Sequence, residues 1–206
     1  MKSKDKKLKI LAIGDTHNDE RMIKKLAEKA EKENVDLIIL TGDLTFLEHS
    51  TKNIIGPFAK AKKQVLILHG NHDSISTINF LAEAYSNAKS LHGYYFIKNN
   101  VGIFGAGGAD IGTDILDEKE TFYLLQRSHE KIKNLEKRIM VTHMHPSKTK
   151  SEFSGFKGSK AIRKAIEKFQ PDLAIFSHIH EAAGTEDKIG KTKAINVSRK
   201  EKIFEI

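Results

Sequence analysis

The chain has 206 residues, of which 39% are hydrophobic and 30% charged, a balance that fits a globular domain with one substantial core. No apolar run approaches the ~20 residues of a membrane helix, and the run in the charged start MKSKDKKLKILAIGD is too short for a secretory leader and lacks a cleavage site. Cysteine is absent, so a disulfide frame is excluded and any metal would rest on nitrogen and oxygen ligands; a cytoplasmic setting is expected, and the net charge of +8 points to anionic partners such as nucleotides, nucleic acids or phosphorylated metabolites.

Lys9 to Ile13 read as a strand stopped at Gly14, followed by a helix in which Met22, Ile23, Leu26, Ala27 and Ala30 recur at helical spacing behind a cap at Asn18 or Asp19. Val35 to Leu40 predict a second strand, and Val65 to Leu68 a third. Between them, residues 46 to 63 resist assignment because Gly56-Pro57 interrupts the helical pattern. A helix over about 74 to 85 follows, then a hairpin of Tyr94 to Ile97 and Val101 to Phe104 around Asn99-Asn100. Glu118 to Glu136 carry a helical face of Phe122, Leu125, His129 and Ile132, and Arg138 to Val141 another strand. Ser159 caps a helix bearing Ile162, Ile166 and Phe169, with Pro171 just beyond it. Leu173 to Phe176, Ala194 to Val197 and Ile203 to Ile206 are the remaining strands. Alternating strands and helices predict an α/β fold with a largely parallel sheet, and the hairpin and closing strands a second, partly antiparallel one.

Five of these strands end in acid, amide or imidazole groups. The sequences are GDTH with Asp15 and His17, GDLT with Asp43, GNHD with Asn71, His72 and Asp73, VTHMH with His143 and His145, and SHIH with His178 and His180. Side chains two apart in an extended segment point the same way, so His178 and His180 can converge on one point. Neutral imidazole is the commonest metal ligand, and open α/β sheets bind ligands at the carboxyl ends of their strands. One Asp-x-His is weak evidence, and two surface histidines at a strand end would be unremarkable. The ordered set of five is strong evidence for a metal site.

That ordered set resembles the calcineurin-like metallophosphoesterase superfamily, whose blocks read D-x-H, G-D, G-N-H-[DE], a lone H and G-H-x-H. The likeness spans Asp15 to His180 and comes closest to small prokaryotic phosphoesterases. It implies a two-sheet α/β sandwich (αββα) with mixed sheets, one domain over 1–206, and a metal site at the strand C-terminal ends. By matching position, Asp15, His17 and His180 would take one divalent ion, Asn71, His143 and His178 the other, and Asp43 would bridge them. His72 would be the general acid that protonates the leaving group. Two such ions, ~3.5–4 Å apart, clamp the attacking and leaving oxygens and bring a bound water's pKa near neutrality. Imidazole with carboxylate suits Mn, Fe, Zn, Ni or Co.

Two departures bear on this reading. Ser177 stands where the family has a glycine before the last His-x-His. Phe46 stands where protein serine/threonine phosphatases carry the Asp of G-D-x-x-D-R-G that orients the general acid, which argues against that activity and leaves the partner of His72 open. The loop Pro146 to Lys160 offers Lys148, Phe153 and Phe156 as contacts for a nucleotide. A solvated loop with two core-anchoring phenylalanines is the competing reading. GAGGAD, Gly105 to Asp110, is expected to be a tight turn in a cleft wall. His145 is placed in the cleft, and His49, His69, His92 and His129 in structural roles. The expected activity is hydrolysis of phosphodiester bonds in a small, nucleotide-like substrate by a metal-bridging hydroxide. The rivals are a non-catalytic protein-binding scaffold and a nuclease acting on nucleic-acid ends.

Overall fold

The structure is a computed structural model that describes residues 7–206. Its elements in chain order are β1 (Lys9–Ile13), α1 (Glu20–Lys32), β2 (Leu37–Leu40), α2 (Gly56–Lys60), β3 (Gln64–Ile67), α3 (Ile75–Ala84), β4 (Ala88–Ser90), β5 (Tyr95–Lys98), β6 (Val101–Ala106), α4 (Glu118–Glu130), β7 (Lys137–Thr142), α5 (Lys160–Phe169), β8 (Leu173–Phe176), β9 (Glu186–Ile189), β10 (Thr192–Asn196) and β11 (Lys202–Glu205). The strands form two mixed sheets, in the orders β11-β1-β2-β3-β4 and β5-β6-β7-β8-β10-β9. Strands β1 to β4 run parallel in the first sheet, and β6, β7, β8 and β10 in the second. Their carboxyl ends therefore meet along one rim. Among the described residues no helix is long and apolar enough to cross a membrane.

The strands are apolar on both faces because both faces are covered. In β1, Ile10 and Ala12 face the other sheet while Leu11 and Ile13 face the helices; in β2, Leu37 and Ile39 face inward, Ile38 and Leu40 outward. The inter-sheet layer also holds Ile103, Ile139, Val141, Ile175 and Ile195. Helices α1 to α3 cover the outside of the first sheet, and α4 and α5 that of the second. The order helix, sheet, sheet, helix is the expected sandwich.

Local chemistry sets the helix starts. Asp19, not Asn18, caps α1 by accepting from Met22 N at 2.9 Å. Ser74, Asp117 and Ser159 likewise cap α3, α4 and α5. The structure departs from or adds to the sequence reading at four points. Gly56-Pro57 begins α2 instead of breaking a helix, because a proline in the first turn forfeits no intrahelical bond. α4 ends at Glu130, short of Glu136, where the chain tightens through Ile132 N to His129 O and Leu135 N to Ile132 O. Strands β4 (AKS) and β9 (EDKI) have no apolar pattern and exist because β3 and β10 offer them an edge. The closing strands part company: β10 joins the second sheet, and β11 returns to pair antiparallel with β1.

Phe58 of α2 is fully buried among Leu44, Ile54 and Ile78, whereas Phe80 of α3 is 57% exposed. Phe58→Ala should lower unfolding stability by about 3–5 kcal/mol, and Phe80→Ala by no more than about 0.5 kcal/mol. Urea unfolding of the two variants checks this assignment of α2.

Candidate metal centre

The loops after β1, β2 and β8 turn sharply as they leave the sheets. Asp15, His17, Asp43 and His178 adopt left-handed backbone, with φ of 57°, 41°, 52° and 77°. Such conformations cost roughly 1–2 kcal/mol each for residues with a side chain. Bonds between the loops offset that cost: Asp15 N to Gly42 O at 2.9 Å, His17 N to Asp43 O at 2.9 Å, and His178 N to Asp15 Oδ2 at 3.2 Å. Glycine makes the approach possible. Gly42 has φ of 104° and lies against His143 and Gly70, and a Cβ on Gly70 would collide with Asp43.

These turns gather the eight matched positions, Asp15, His17, Asp43, Asn71, His72, His143, His178 and His180, into one cluster. Nε2 of His17 lies 3.3 Å from Nε2 of His180, and 3.8 Å from Asp43 Oδ2. Nδ1 of His178 lies 3.2 Å from Nε2 of His143 and 2.8 Å from Asn71 Oδ1, which is itself 3.0 Å from His143 Nε2. Asp43 sits between the two groups, its Oδ1 3.6 Å from His143 Nε2 and accepting from His72 N at 2.9 Å. His72 Nε2 is 3.9 Å from Asp43 Oδ2. Three overlapping sets bring ligand atoms within 4.8 Å of one another: Asp15, His17 and His180; His17, Asp43 and His72; Asp15, Asp43 and His143.

Electrostatics favours the lone-pair-donating forms of Asp15, His17 and His178, and the protonated form of His180. Burial acts to raise Asp15, but the bond to His180 and the field of His143 outweigh it and hold the carboxyl at about 2. Burial pushes His178 down to about 3, helped by His143, and also lowers His17. The bond from Asp15 raises His180. Asp15 Oδ1 is buried and lies 3.4 Å from His180 Nε2. With His143 donating from Nδ1 to Thr41 O, its Nε2 and Asn71 Oδ1, 3.0 Å apart, are both acceptors, and only the N–H of His178 Nδ1 faces them. Nitrogen and oxygen donors in this arrangement fit divalent cations.

Residues beyond the eight matched positions support the cluster. Asp73 does not turn to the His72 ring. Its buried carboxylate accepts from Leu44 N at 2.9 Å, Thr45 N at 2.7 Å, Thr45 Oγ1 at 2.7 Å and Gly70 N at 3.2 Å, tying the loop of Asp43 to the loop of Asn71; burial raises its pKa. Arg199, which follows β10, reaches the Asp15 carbonyl at 3.4 Å and Asp19 Oδ2 at 3.9 Å. No spacing pattern marks it, since the antiparallel excursion of β9 separates it from the last block.

Ser177 is accommodated without left-handed backbone; the positive φ belongs to His178. The side chain of Ser177 packs against Gly14, where a Cβ would clash. Its hydroxyl donates to Thr41 O at 3.1 Å and lies 3.2 Å from His143 Nδ1, while Thr41 Oγ1 donates to it at 2.9 Å. His143 Nδ1 also meets Thr41 O at 3.0 Å, which turns Nε2 toward the cluster.

The loop after β7 is closed at its neck by Ser147 N to Ser159 O and Ser159 N to His145 O, both 2.9 Å, and across its middle by Gly158 N to Glu152 Oε1 at 2.9 Å. A short 3-10 turn, Lys150–Ser154, packs beside the turn His180–Ala182. Phe153 and Phe156 are 66% and 61% exposed, so neither anchors the core. Lys148 gives its carbonyl to Arg163 at 3.3 Å. Among the described residues no ring contact or hydrogen bond joins the side chains of Lys148, Phe153 or Phe156 to the cluster. The link is His145, whose buried ring stacks on His178 at 6.3 Å and whose Nε2 lies 3.3 Å from the Phe156 carbonyl. His69 pairs with His92, His129 stacks on Phe169, and His49 meets the edge of Phe46. The 107–110 turn packs on His69 and walls a cavity of about 320 Å³ reaching Met144.

A family model for calcineurin-like phosphoesterases matches residues 8–182, and the chain belongs to that family. No curated protein matches it in sequence. Among solved structures it is similar to a Thermus thermophilus protein, with 16% identity, a TM-score of 0.76, and 97% of this chain and 99% of the other covered. A Danio rerio dimetal phosphatase shares 11% identity at a TM-score of 0.62, over 92% and 86% of the two chains. An archaeal phosphodiesterase shares 16% at 0.56, over 96% and 98%. At these identities the likeness is one of fold.

Ser177→Gly should cost about 1–2 kcal/mol, from the lost hydroxyl bonds and the added freedom of the unfolded chain. Thermal unfolding measures it; unchanged or increased stability would show that the Thr41–Ser177–His143 contacts contribute nothing.

Proposed function

We propose that the protein is a dinuclear-metal phosphoesterase that cleaves phosphodiester bonds of a nucleotide-like substrate. The carrying observation is the pairing of ring nitrogens, His17 with His180 at 3.3 Å and His143 with His178 at 3.2 Å, with Asp43 between the pairs. On this reading Asp15, His17 and His180 hold one cation, Asn71, His143 and His178 hold the other, and Asp43 serves both. Bound divalent ions of the Mn, Fe, Zn, Ni or Co type supply Lewis acidity to the phosphoryl group and lower the pKa of a water toward neutrality.

The chain's own groups do the rest. Asp43 offsets the repulsion between two neighbouring positive charges. Asp15, as an anion, keeps His180 oriented through their 3.4 Å approach. His72 presents Nε2 beside Asp43 at 3.9 Å, where it can hand a proton to a departing alkoxide. Phe153 and Phe156, exposed on the loop beside His180, offer faces for a base, and Lys148 a cation for its phosphate. A diester carries one charge and extends a second substituent toward such a loop. A monoester dianion asks for a second cation at the cluster itself; Arg199 already faces the Asp15 carbonyl and the Asp19 carboxylate, and among the described residues the Lys148 side chain makes no hydrogen bond to the cluster. Neighbours described as a phosphodiesterase and a dimetal phosphatase support the reaction type by analogy.

Asp43→Ala should abolish hydrolysis and lower the metal content of the purified protein, read by elemental analysis and an assay in supplied Mn²⁺. Near-normal turnover would remove the dinuclear reading. For the substrate class, kcat/KM should be higher for bis(nitrophenyl) phosphate than for the mononitrophenyl ester in the same metal. Replacing Phe153 and Phe156 together with Ala should raise KM for a nucleotide diester more than for the synthetic one. Monoester preference, or indifference to the double change, would overturn the diester reading while leaving the metal site.

A further inference from the structure

His72 lacks the partner a proton-donating histidine normally has. Its backbone is fixed, by N–H to Asp43 Oδ1 at 2.9 Å and by its carbonyl to Thr45 Oγ1 at 3.1 Å. Its ring is not: Nδ1 is buried with no hydrogen-bond partner, and the nearest acid in sequence, Asp73, is fully used by backbone and threonine groups. The torsion that turns an imidazole about its Cβ–Cγ bond is broad, so an unbonded ring would sample many orientations.

What meets that ring is Phe46. The two rings stack at 5.3 Å with an interplanar angle of 21°, and the ring of His17 closes on His72 edge-on at 4.9 Å and 87°. Phe46 is 48% exposed, so it contributes little to the core. The loop beneath it is nonetheless tightly fixed. Phe46 N donates to Asn18 Oδ1 at 3.1 Å, Glu48 N donates to Thr45 Oγ1 at 3.1 Å, and Glu48 Oε1 accepts from Ser74 N and Thr77 Oγ1 on the start of α3. Leu47 and Glu48 adopt left-handed backbone, with φ of 50° and 59°, to complete the turn. A half-exposed aromatic held on a strained, well-bonded loop, flat against the one unanchored ring of the cluster, has its location explained by that ring.

We infer that Phe46 is a positioning residue for His72: the stack sets the plane of the imidazole, in place of a hydrogen bond to Nδ1, so that Nε2 is aimed at the leaving-group oxygen. The inference rests on the reading of His72 as the proton donor. The consequence is selective. Loss of the stack should slow departure of alkoxides, which need a proton, and spare nitrophenolate, which leaves without one.

The test uses the full chain, loaded with Mn²⁺ for kinetics and metal-free for NMR. Phe46→Ala should abolish the upfield ring-current shift of the His72 ring protons, assigned by their disappearance in His72→Gln. It should also lower kcat for a dinucleoside phosphate by about 10–100-fold, a part of the roughly 10²–10⁴-fold that general acid catalysis supplies, with bis(nitrophenyl) phosphate changed by no more than about twofold. Phe46→Tyr should restore both the shift and the rate. A Phe46→Ala loss that is equal for the two substrates, or absent from both, while His72→Gln remains selective for the alkoxide, would overturn the positioning role and leave the acid role standing. A His72→Gln loss that is equal for both substrates would remove the acid role and the inference with it.

Discussion

The constraint on which the rest depends is the crowding of unshared electron pairs at one rim. Carboxylate, amide and imidazole atoms from five strand ends lie 2.8–3.9 Å apart, and the single N–H of His178 Nδ1 faces two acceptors at once, Asn71 Oδ1 and His143 Nε2. Desolvation disfavours charge, so by itself it would protonate the buried carboxyl of Asp15 while leaving His17 and His178 as neutral imidazoles. Burial holds His178 down to about 3, and the neighbouring His180 and His143 hold Asp15 at about 2 against the same burial. A cluster maintained against its own electrostatics is what one expects where strain is part of function.

The means of keeping it together is a lacing of the two sheets across the rim. Gly14 N donates to Val197 O at 3.1 Å, Arg199 N to Gly14 O at 3.0 Å, and Ser177 N to His143 O at 2.9 Å, so the loops after β1, β7, β8 and β10 share bonds. Ser177 adds its hydroxyl to Thr41, joining a strand end of one sheet to that of the other. Within the first sheet, Asp73 ties the loop after β3 to the loop after β2, accepting from Leu44 N, Thr45 N and Thr45 Oγ1 as well as from Gly70 N of its own loop. The ligand-type side chains are therefore held by backbone that is already over-determined. This is why four left-handed residues can persist there, and why polar residues of no catalytic type are buried beside them.

Much of this was legible in the chain. Each long apolar run with a polar stop became a parallel strand, because a strand buried on both faces needs that composition and no other element could satisfy it. The five motifs became one cluster, because parallel strands deliver their carboxyl ends to a common edge. The short polar strands β4 (AKS) and β9 (EDKI) left no pattern, since an edge strand is held by its neighbour's hydrogen bonds and not by its own side chains. Gly56-Pro57 misled, because the same dipeptide ends one helix and begins another depending on which side the chain packs. Ser177 and Phe46 stood out as departures from a family pattern, but their contacts involve Thr41 and His143 in one case and His72 in the other. Those pairs are 26 to 136 positions apart, and no local spacing encodes them.

What the sequence by itself determined is the fold class and the identity of the metal-ligand candidates, since both follow from local rules: apolar runs that must be buried, and chemistry placed where those runs stop. Only the tertiary structure decided how the candidates face one another and what steadies them. The carboxylate of Asp73 serving backbone amides, the guanidinium of Arg199 arriving behind β10 at the Asp15 carbonyl, and the phenyl ring of Phe46 lying on His72 are all products of loops packing across two sheets. Contacts between distant segments depend on the summed packing of the core beneath them, and a side chain's partner is fixed only when that core has brought the two loops together.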